Sequence, residues 1–93
     1  MNRLTIDPVV LKALREIPKP ERLERLATLI DLAEAFGRPH LHTGLGIRKL
    51  GDRLYECRSG LQWRFLFLDR GGELFISFLG NHDDIKALIR RRS

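Results

Sequence analysis

Four side chains in this sequence have types and spacing that suit chemistry on an anion: Glu56, Arg58, Arg64 and His82. Residues 54–58 and 62–68 read as strands with a period of two. Tyr55 and Cys57 then share one face of the first strand, and Glu56 and Arg58 the other. On the second, Trp63, Phe65 and Phe67 form an aromatic face that has to be buried, leaving Arg64 opposite with Gln62 and Leu66. A hairpin between the two strands gathers Glu56, Arg58 and Arg64 on one face. Such a triplet among Leu and Phe is costly unless it is paired or solvated. A cross-strand salt bridge satisfies Glu56 and one arginine and leaves the second over; the competing reading is a functional cleft. A guanidinium binds phosphate or carboxylate oxygens in pairs and keeps its proton at any useful pH, so Arg58 and Arg64 can hold charge but not move protons. Imidazole changes charge near neutrality, which makes His82 the candidate for proton transfer. The alternative is that His82 merely fills the first turn of a helix beside Asp83 and Asp84.

The elements that must position these residues are marked by caps and turns. Asp7-Pro8 opens a first helix carrying Val10, Leu11, Leu14 and Ile17, and Pro18-Lys19-Pro20 interrupts it. A second helix from near Pro20-Glu21 presents Leu23, Leu26, Ile30 and Ala33, with Leu29, Leu32 and Phe36 widening the stripe and Glu21–Arg25 as an i, i+4 pair. Gly37 and Pro39 end it, giving a helical hairpin over residues 7–37. After a loop at 38–46, strands are predicted at Ile47–Leu50, Leu54–Arg58, Gln62–Leu68 and Leu74–Leu79. Turns at Gly51-Asp52, Ser59-Gly60 and Asp69–Gly72 join them into an antiparallel meander over 47–80. Leu4-Thr5-Ile6 is open between loop and a further edge strand. Asn81 caps a last helix over 81–92, with Asp83 and Asp84 at its positive end and Arg90, Arg91 and Arg92 at its negative end. Ile85, Leu88 and Ile89 supply its apolar face. The expected architecture is a single α+β domain spanning 1–93, a helical hairpin packed on a small antiparallel β-meander with a short C-terminal helix.

Charge narrows the function classes. Residues 1–37 hold six basic and six acidic side chains, whereas 38–93 hold eleven basic and six acidic, so the whole net charge of +5 lies in the second part. Thirteen of the seventeen basic residues are arginines, which points to a polyanionic partner, most simply nucleic acid, against the plainer reading of a solvated surface. No apolar run approaches the ~20 residues of a membrane span, and the N-terminus reads as no secretory signal. A lone Cys57 leaves neither a disulfide nor a cysteine-rich zinc site, so a reducing cytoplasm is the expected setting, with no membrane partner.

Three stretches in this order resemble the RelE/ParE superfamily of bacterial toxins from toxin–antitoxin modules: Gly51-Asp52-Arg53-Leu54-Tyr55-Glu56-Cys57-Arg58, Trp63-Arg64-Phe65-Leu66-Phe67, and Phe78-Leu79-Gly80-Asn81-His82-Asp83-Asp84-Ile85. The resemblance covers the whole chain and is most specific over 47–89. It implies a RelE-like fold and a cognate antitoxin as partner. RelE-like members cut mRNA, generally on the ribosome, whereas ParE-like members inhibit DNA gyrase by protein binding. Position by position, the resemblance places Arg58 and Arg64 on the scissile phosphate and His82 at proton transfer. It sets Glu56 near positions used as a base, and Arg48 and Lys49 on the RNA backbone. Nuclease members often carry a lysine pair on the second strand or a tyrosine in the last helix. Here Tyr55 is placed toward the core and Leu88 in an apolar stripe, which leaves the general acid and base open.

Metal-free RNA cleavage needs a base for the 2′-hydroxyl, a cation for the phosphorane and an acid for the leaving 5′-oxygen. Arg58 and Arg64 suit only the second of these. The resemblance thus implies a metal-independent, cofactor-free endoribonuclease toxin that stops translation. A ParE-like gyrase inhibitor and an inactive RNA-binding domain of the same fold are the alternatives. His40 and His42 form His-x-His in a glycine-flanked loop with no third ligand nearby, so loop packing or phosphate contact is expected rather than a metal site. Gly44-Leu45-Gly46 is too sparse for a nucleotide-binding loop. Arg90 and Arg91 are open between RNA contact and a solvated helix end.

Overall fold

Asp7 accepts a hydrogen bond from the Val9 N–H at 2.8 Å and Pro8 follows at the first helical position, so the first helix begins where cap and proline direct it. The computed structural model describes residues 1–92, Arg92 by its backbone alone. The chain runs β1 (Arg3–Ile6), α1 (Pro8–Glu16), α2 (Lys19–Ala35), a 3-10 turn (Pro39–Leu41), β2 (Arg48–Gly51), β3 (Leu54–Ser59), β4 (Trp63–Asp69), β5 (Glu73–Asn81) and α3 (His82–Arg92). This is the α+β arrangement that the sequence predicts. Among the described residues no helix is long and apolar enough to cross a membrane.

The sheet is mixed rather than purely antiparallel, with the order β1-β5-β4-β3-β2. β2 to β5 form the antiparallel meander. Leu4-Thr5-Ile6 lies in the added edge strand β1, which pairs parallel to β5 with Leu4 beside Leu74 and Ile6 beside Ile76. Asn2 ties this strand to the end of α2, its side-chain amide donating to the carbonyls of Ala33 and Phe36 at 3.1 and 2.8 Å. That supplies partners to carbonyls a helix C-terminus leaves over.

One face of the sheet packs under the helical hairpin. Cys57, Phe65 and Phe67 are fully buried there with Val10, Leu29, Leu32, Leu74 and Ile76, and Tyr55 stacks on Phe67 and meets the edge of Phe36. The period-two reading of β3 and β4 holds. The predicted stripe of α2 holds in part: Leu29, Leu32 and Ala33 are buried and Leu26 and Phe36 pack on the core, while Leu23 and Ile30 stand 55% and 61% exposed. The apolar stripe of this helix is broad, so periodicity leaves its rotation open within that stripe, and docking on the sheet decides it.

Two further differences lie in the strands. β3 continues through Ser59, which pairs with Trp63, so residues 60–62 make the turn expected at Ser59-Gly60. In β5 the register shifts so that Phe67 faces Ile76 and Leu66 faces Phe78, leaving Ser77 as an extra residue. Leu74, Ile76 and Leu79 consequently all point to the core, and Phe78 and Gly80 turn to the second face. That face carries Glu56, Arg58, Arg64 and buried Leu66, and α3 covers part of it through buried Ile85.

Candidate active site

Arg58 and Arg64 sit directly opposite one another across β3 and β4, and Gly80 of β5 completes the rung. Like charges facing across strands are destabilising. The expected relief, a salt bridge from Glu56 to one of them, is absent. Glu56 instead pairs with Arg48, its neighbour on β2, through Oε1 and Nε at 3.1 Å. Among the described residues neither Arg58 nor Arg64 has a carboxylate within ion-pair reach. Arg64 donates only to the Trp63 carbonyl, at 3.3 Å. Two arginines on adjacent strand positions at one end of the sheet are thus without a carboxylate partner among the described residues.

The loop before β2 holds Arg58 in place. Its backbone N–H donates to the Leu45 carbonyl at 2.6 Å. Gly46, in the left-handed region at φ +57, lies so close to the Arg58 side chain that a Cβ would overlap Nε and stand 3.1 Å from Cζ. His42 anchors this loop. Its Nε2 is 2.9 Å from the Ala35 carbonyl, an atom that can only accept, so Nε2 carries the proton, and its ring stacks on Phe36. Of the two sequence alternatives for His-x-His, loop packing describes His42; His40 is exposed.

α3 delivers His82 to the same end of the sheet. Asn81 and Asp84 cap the helix reciprocally, Asp84 N–H to Asn81 Oδ1 at 2.8 Å and Asn81 N–H to Asp84 Oδ2 at 3.0 Å. A Cβ on Gly80 would stand 2.9 Å from the Asp84 Cβ, so the missing side chain lets the first turn of α3 approach the rung of Arg58 and Arg64. His82, two residues past Gly80, is the first residue of α3 and is exposed.

Glu56 shares the face of Arg58 and Arg64 but lies deeper, with a side chain 7% exposed and a buried Oε2 that has no hydrogen-bond partner. Arg48 and Lys49 diverge: Arg48 pairs with Glu56 and Lys49 with Tyr55, so they project to opposite faces of β2. Arg90 and Arg91 lie exposed in the last turn of α3. Burial pushes the Cys57 thiol up to about 12, with Glu56 adding to the rise and the Phe65 backbone and Arg64 opposing it, which makes this cysteine inert. Among the described residues no group of three or more His, Cys, Asp or Glu side chains is placed to hold a metal ion.

Sequence reasoning missed one set of residues behind the site. Arg25 is not the exposed partner of Glu21. It is 4% exposed, donates from Nε to Ser59 Oγ at 2.7 Å and pairs with Glu24 at 3.0 Å. Ser59 Oγ also meets Thr28 Oγ1 at 2.6 Å, so α2 grips the residue next to Arg58 from the core side. The i, i+4 spacing to Glu21 pointed elsewhere, and nothing in the sequence marks Ser59 as the partner.

No protein-family model matches this sequence, and no curated protein matches it either. Solved structures do. The chain is similar to the archaeal RelE–RelB complex from Pyrococcus horikoshii OT3, with a TM-score of 0.68 and 24% identity over 86% of this chain and 93% of that one. It is also similar to a copper-bound mutant toxin from Helicobacter pylori, with a TM-score of 0.58 and 18% identity over 91% and 99% of the two chains. A conserved hypothetical protein from the same bacterium gives a TM-score of 0.50 and 15% identity over 89% and 97%. Matching these structures over 86–91% of its length, with a helical hairpin, a mixed sheet and a C-terminal helix of its own, this chain has a RelE-like fold.

Proposed function

We propose that this chain, acting as one domain over residues 1–93, is the toxin of a toxin–antitoxin pair and a metal-independent endoribonuclease. It cuts mRNA on the ribosome and so stops translation. The observation that carries this reading is the rung of Arg58 and Arg64, two facing cations with no carboxylate between them. A phosphate diester relieves their repulsion, and a phosphorane, with more charge, relieves it further, so the pair binds the transition state more tightly than the substrate. Glu56 on the same face is the base, taking the 2′-hydroxyl proton as O2′ attacks phosphorus; its Oε2 is buried and without a hydrogen bond in the free protein and has to turn outward when substrate binds. His82, as imidazolium, gives a proton to O5′ as the P–O5′ bond breaks, leaving a 2′,3′-cyclic phosphate and a 5′-hydroxyl. Arg48, Arg90 and Arg91 extend the basic surface toward neighbouring phosphates, whereas Lys49, on the other face of β2, reaches RNA only around the edge of that strand. The antitoxin is a small cytoplasmic protein with an acidic or amphipathic segment that covers this surface; the solved RelE–RelB complex supports such a partner.

Single-turnover cleavage of ribosome-bound mRNA tests the reading. Arg64→Ala should fold and lose roughly 10²–10³ in rate, and His82→Ala roughly 10²–10⁴. Parental rates from both variants would remove the proposed site. In cells, protein synthesis should fall before DNA synthesis; the reverse order would favour gyrase inhibition.

A further inference from the structure

The carboxylate of Glu56 is held by a single bond. Oε1 meets Arg48 Nε, Oε2 meets nothing, and the neighbours on its face are Leu66 across the strand pair and Arg58 one step along. Arg48 itself is 64% exposed and belongs to an edge strand of four residues whose pairing is irregular between Lys49 and Gly51. With Oε2 buried and unbonded, the contact with Arg48 is the one ion pair that the carboxylate makes among the described residues, so Arg48 helps to set how the group is oriented and how readily Oε2 turns toward a substrate. An exposed cation clamping a buried carboxylate is an inefficient way to gain stability, because solvent screens the pair while burial still penalises the acid. It is an efficient way to aim a base.

We infer that Arg48 is a positioning residue for Glu56, acting on the chemical step through that carboxylate and not only on RNA affinity. The inference rests on the endoribonuclease reading above. It departs from the sequence expectation, in which Arg48 serves the RNA backbone alone.

The test is a double-mutant cycle in single-turnover cleavage of ribosome-bound mRNA, with the rate at saturation and the dissociation constant measured separately. Arg48→Ala should lower the saturated rate roughly 10- to 100-fold, the scale of a small misplacement of a reacting group. Arg48→Lys, which keeps a cation on the strand, should recover most of that loss. In a Glu56→Gln background, Arg48→Ala should change the rate by less than about twofold, since the two residues act as one unit. An unchanged saturated rate with weaker binding and a flatter salt dependence would overturn the inference and return Arg48 to the backbone. Equal losses in both backgrounds would overturn it as well. If Arg48→Ala does not fold, Arg48→Gln replaces it in the cycle. Failure of the endoribonuclease reading looks different: no cleavage by the parent, or full activity in Arg64→Ala and His82→Ala.

Discussion

Replacing Arg64 by Met should make the protein more stable and less active. The substitution keeps an unbranched stem of similar reach and deletes one of the two like charges at directly opposed positions of β3 and β4. Arg58 is exposed and Arg64 half-buried, so the repulsion is partly screened, and its scale is that of a cross-strand pair, ~0.2–1 kcal/mol. Against this stands the bond from Arg64 Nη1 to the Trp63 carbonyl, at 3.3 Å beyond the usual N–H···O range and replaceable by water at a partly open strand end. The balance favours the variant by a few tenths of a kcal/mol, or a melting temperature a few degrees higher, since ~1 kcal/mol corresponds to about 4–8 °C in a domain of this size. Melting at low and high ionic strength separates charge from packing: salt should stabilise the parent more than the variant and narrow the gap. Inorganic phosphate should raise the parent's melting temperature more than the variant's. RNA cleavage by the variant should fall roughly 10²–10³-fold. A variant that melts below its parent at low salt, with both proteins answering phosphate equally, would refute the idea that this rung is kept strained for an anion.

Gly46→Ala and Gly71→Ala form a matched pair, with φ +57 and +65, but only the first adds a Cβ into Arg58. Urea titrations should show a similar loss in both, ~1–2 kcal/mol, whereas cleavage should drop in Gly46→Ala alone. Ser59→Ala strips partners from Arg25 Nε and Thr28 Oγ1 and should cost ~1–3 kcal/mol in the same titration; an unchanged midpoint would mean that Arg25 finds water. Because the thiol of Cys57 rises from 9.0 to about 12 on folding, its contribution is complete below pH ~9 and is lost as pH climbs toward 12. The alkaline fall in melting temperature should therefore be shallower in Cys57→Ala, and iodoacetamide should label the parent only after denaturant is added.

The meander and the face of its charged residues were legible because β3 and β4 alternate sharply: Tyr55 and Cys57 against Glu56 and Arg58, Trp63, Phe65 and Phe67 against Arg64. Where that contrast fades, so does the reading. The apolar stripe of α2 at 23, 26, 29, 30, 32 and 33 is broader than the strip the sheet can cover, and docking selects Leu29 and Leu32 over Leu23 and Ile30. Ser77 is small and polar, compatible with either face, so nothing announced the extra residue that turns Leu79 inward. β1 is four residues long, and its partner lies at the far end of the chain. At the site, Arg58, Arg64 and Glu56 were brought together as the hairpin predicts. The choice of Arg48 as the carboxylate's partner depends on the β2–β3 register, which a bulge after Lys49 hides from any pattern of residues.

The pairing of β1 with β5 also bears on the order in which the molecule can come into being. Arg3 must wait for Glu73, and Ile6 for Ile76, so the strand made first on the ribosome closes the sheet only when the strand made last has emerged. Such distant partners slow folding, because chain closure is entropically costly before any contact offsets it. The rung of Arg58, Arg64 and Gly80 and the helix that begins at His82 share that delay, for both require β5. A nascent chain therefore has α1 and α2 well before it has the rung of Arg58 and Arg64, and a partner that binds those early segments meets a sheet that is not yet complete.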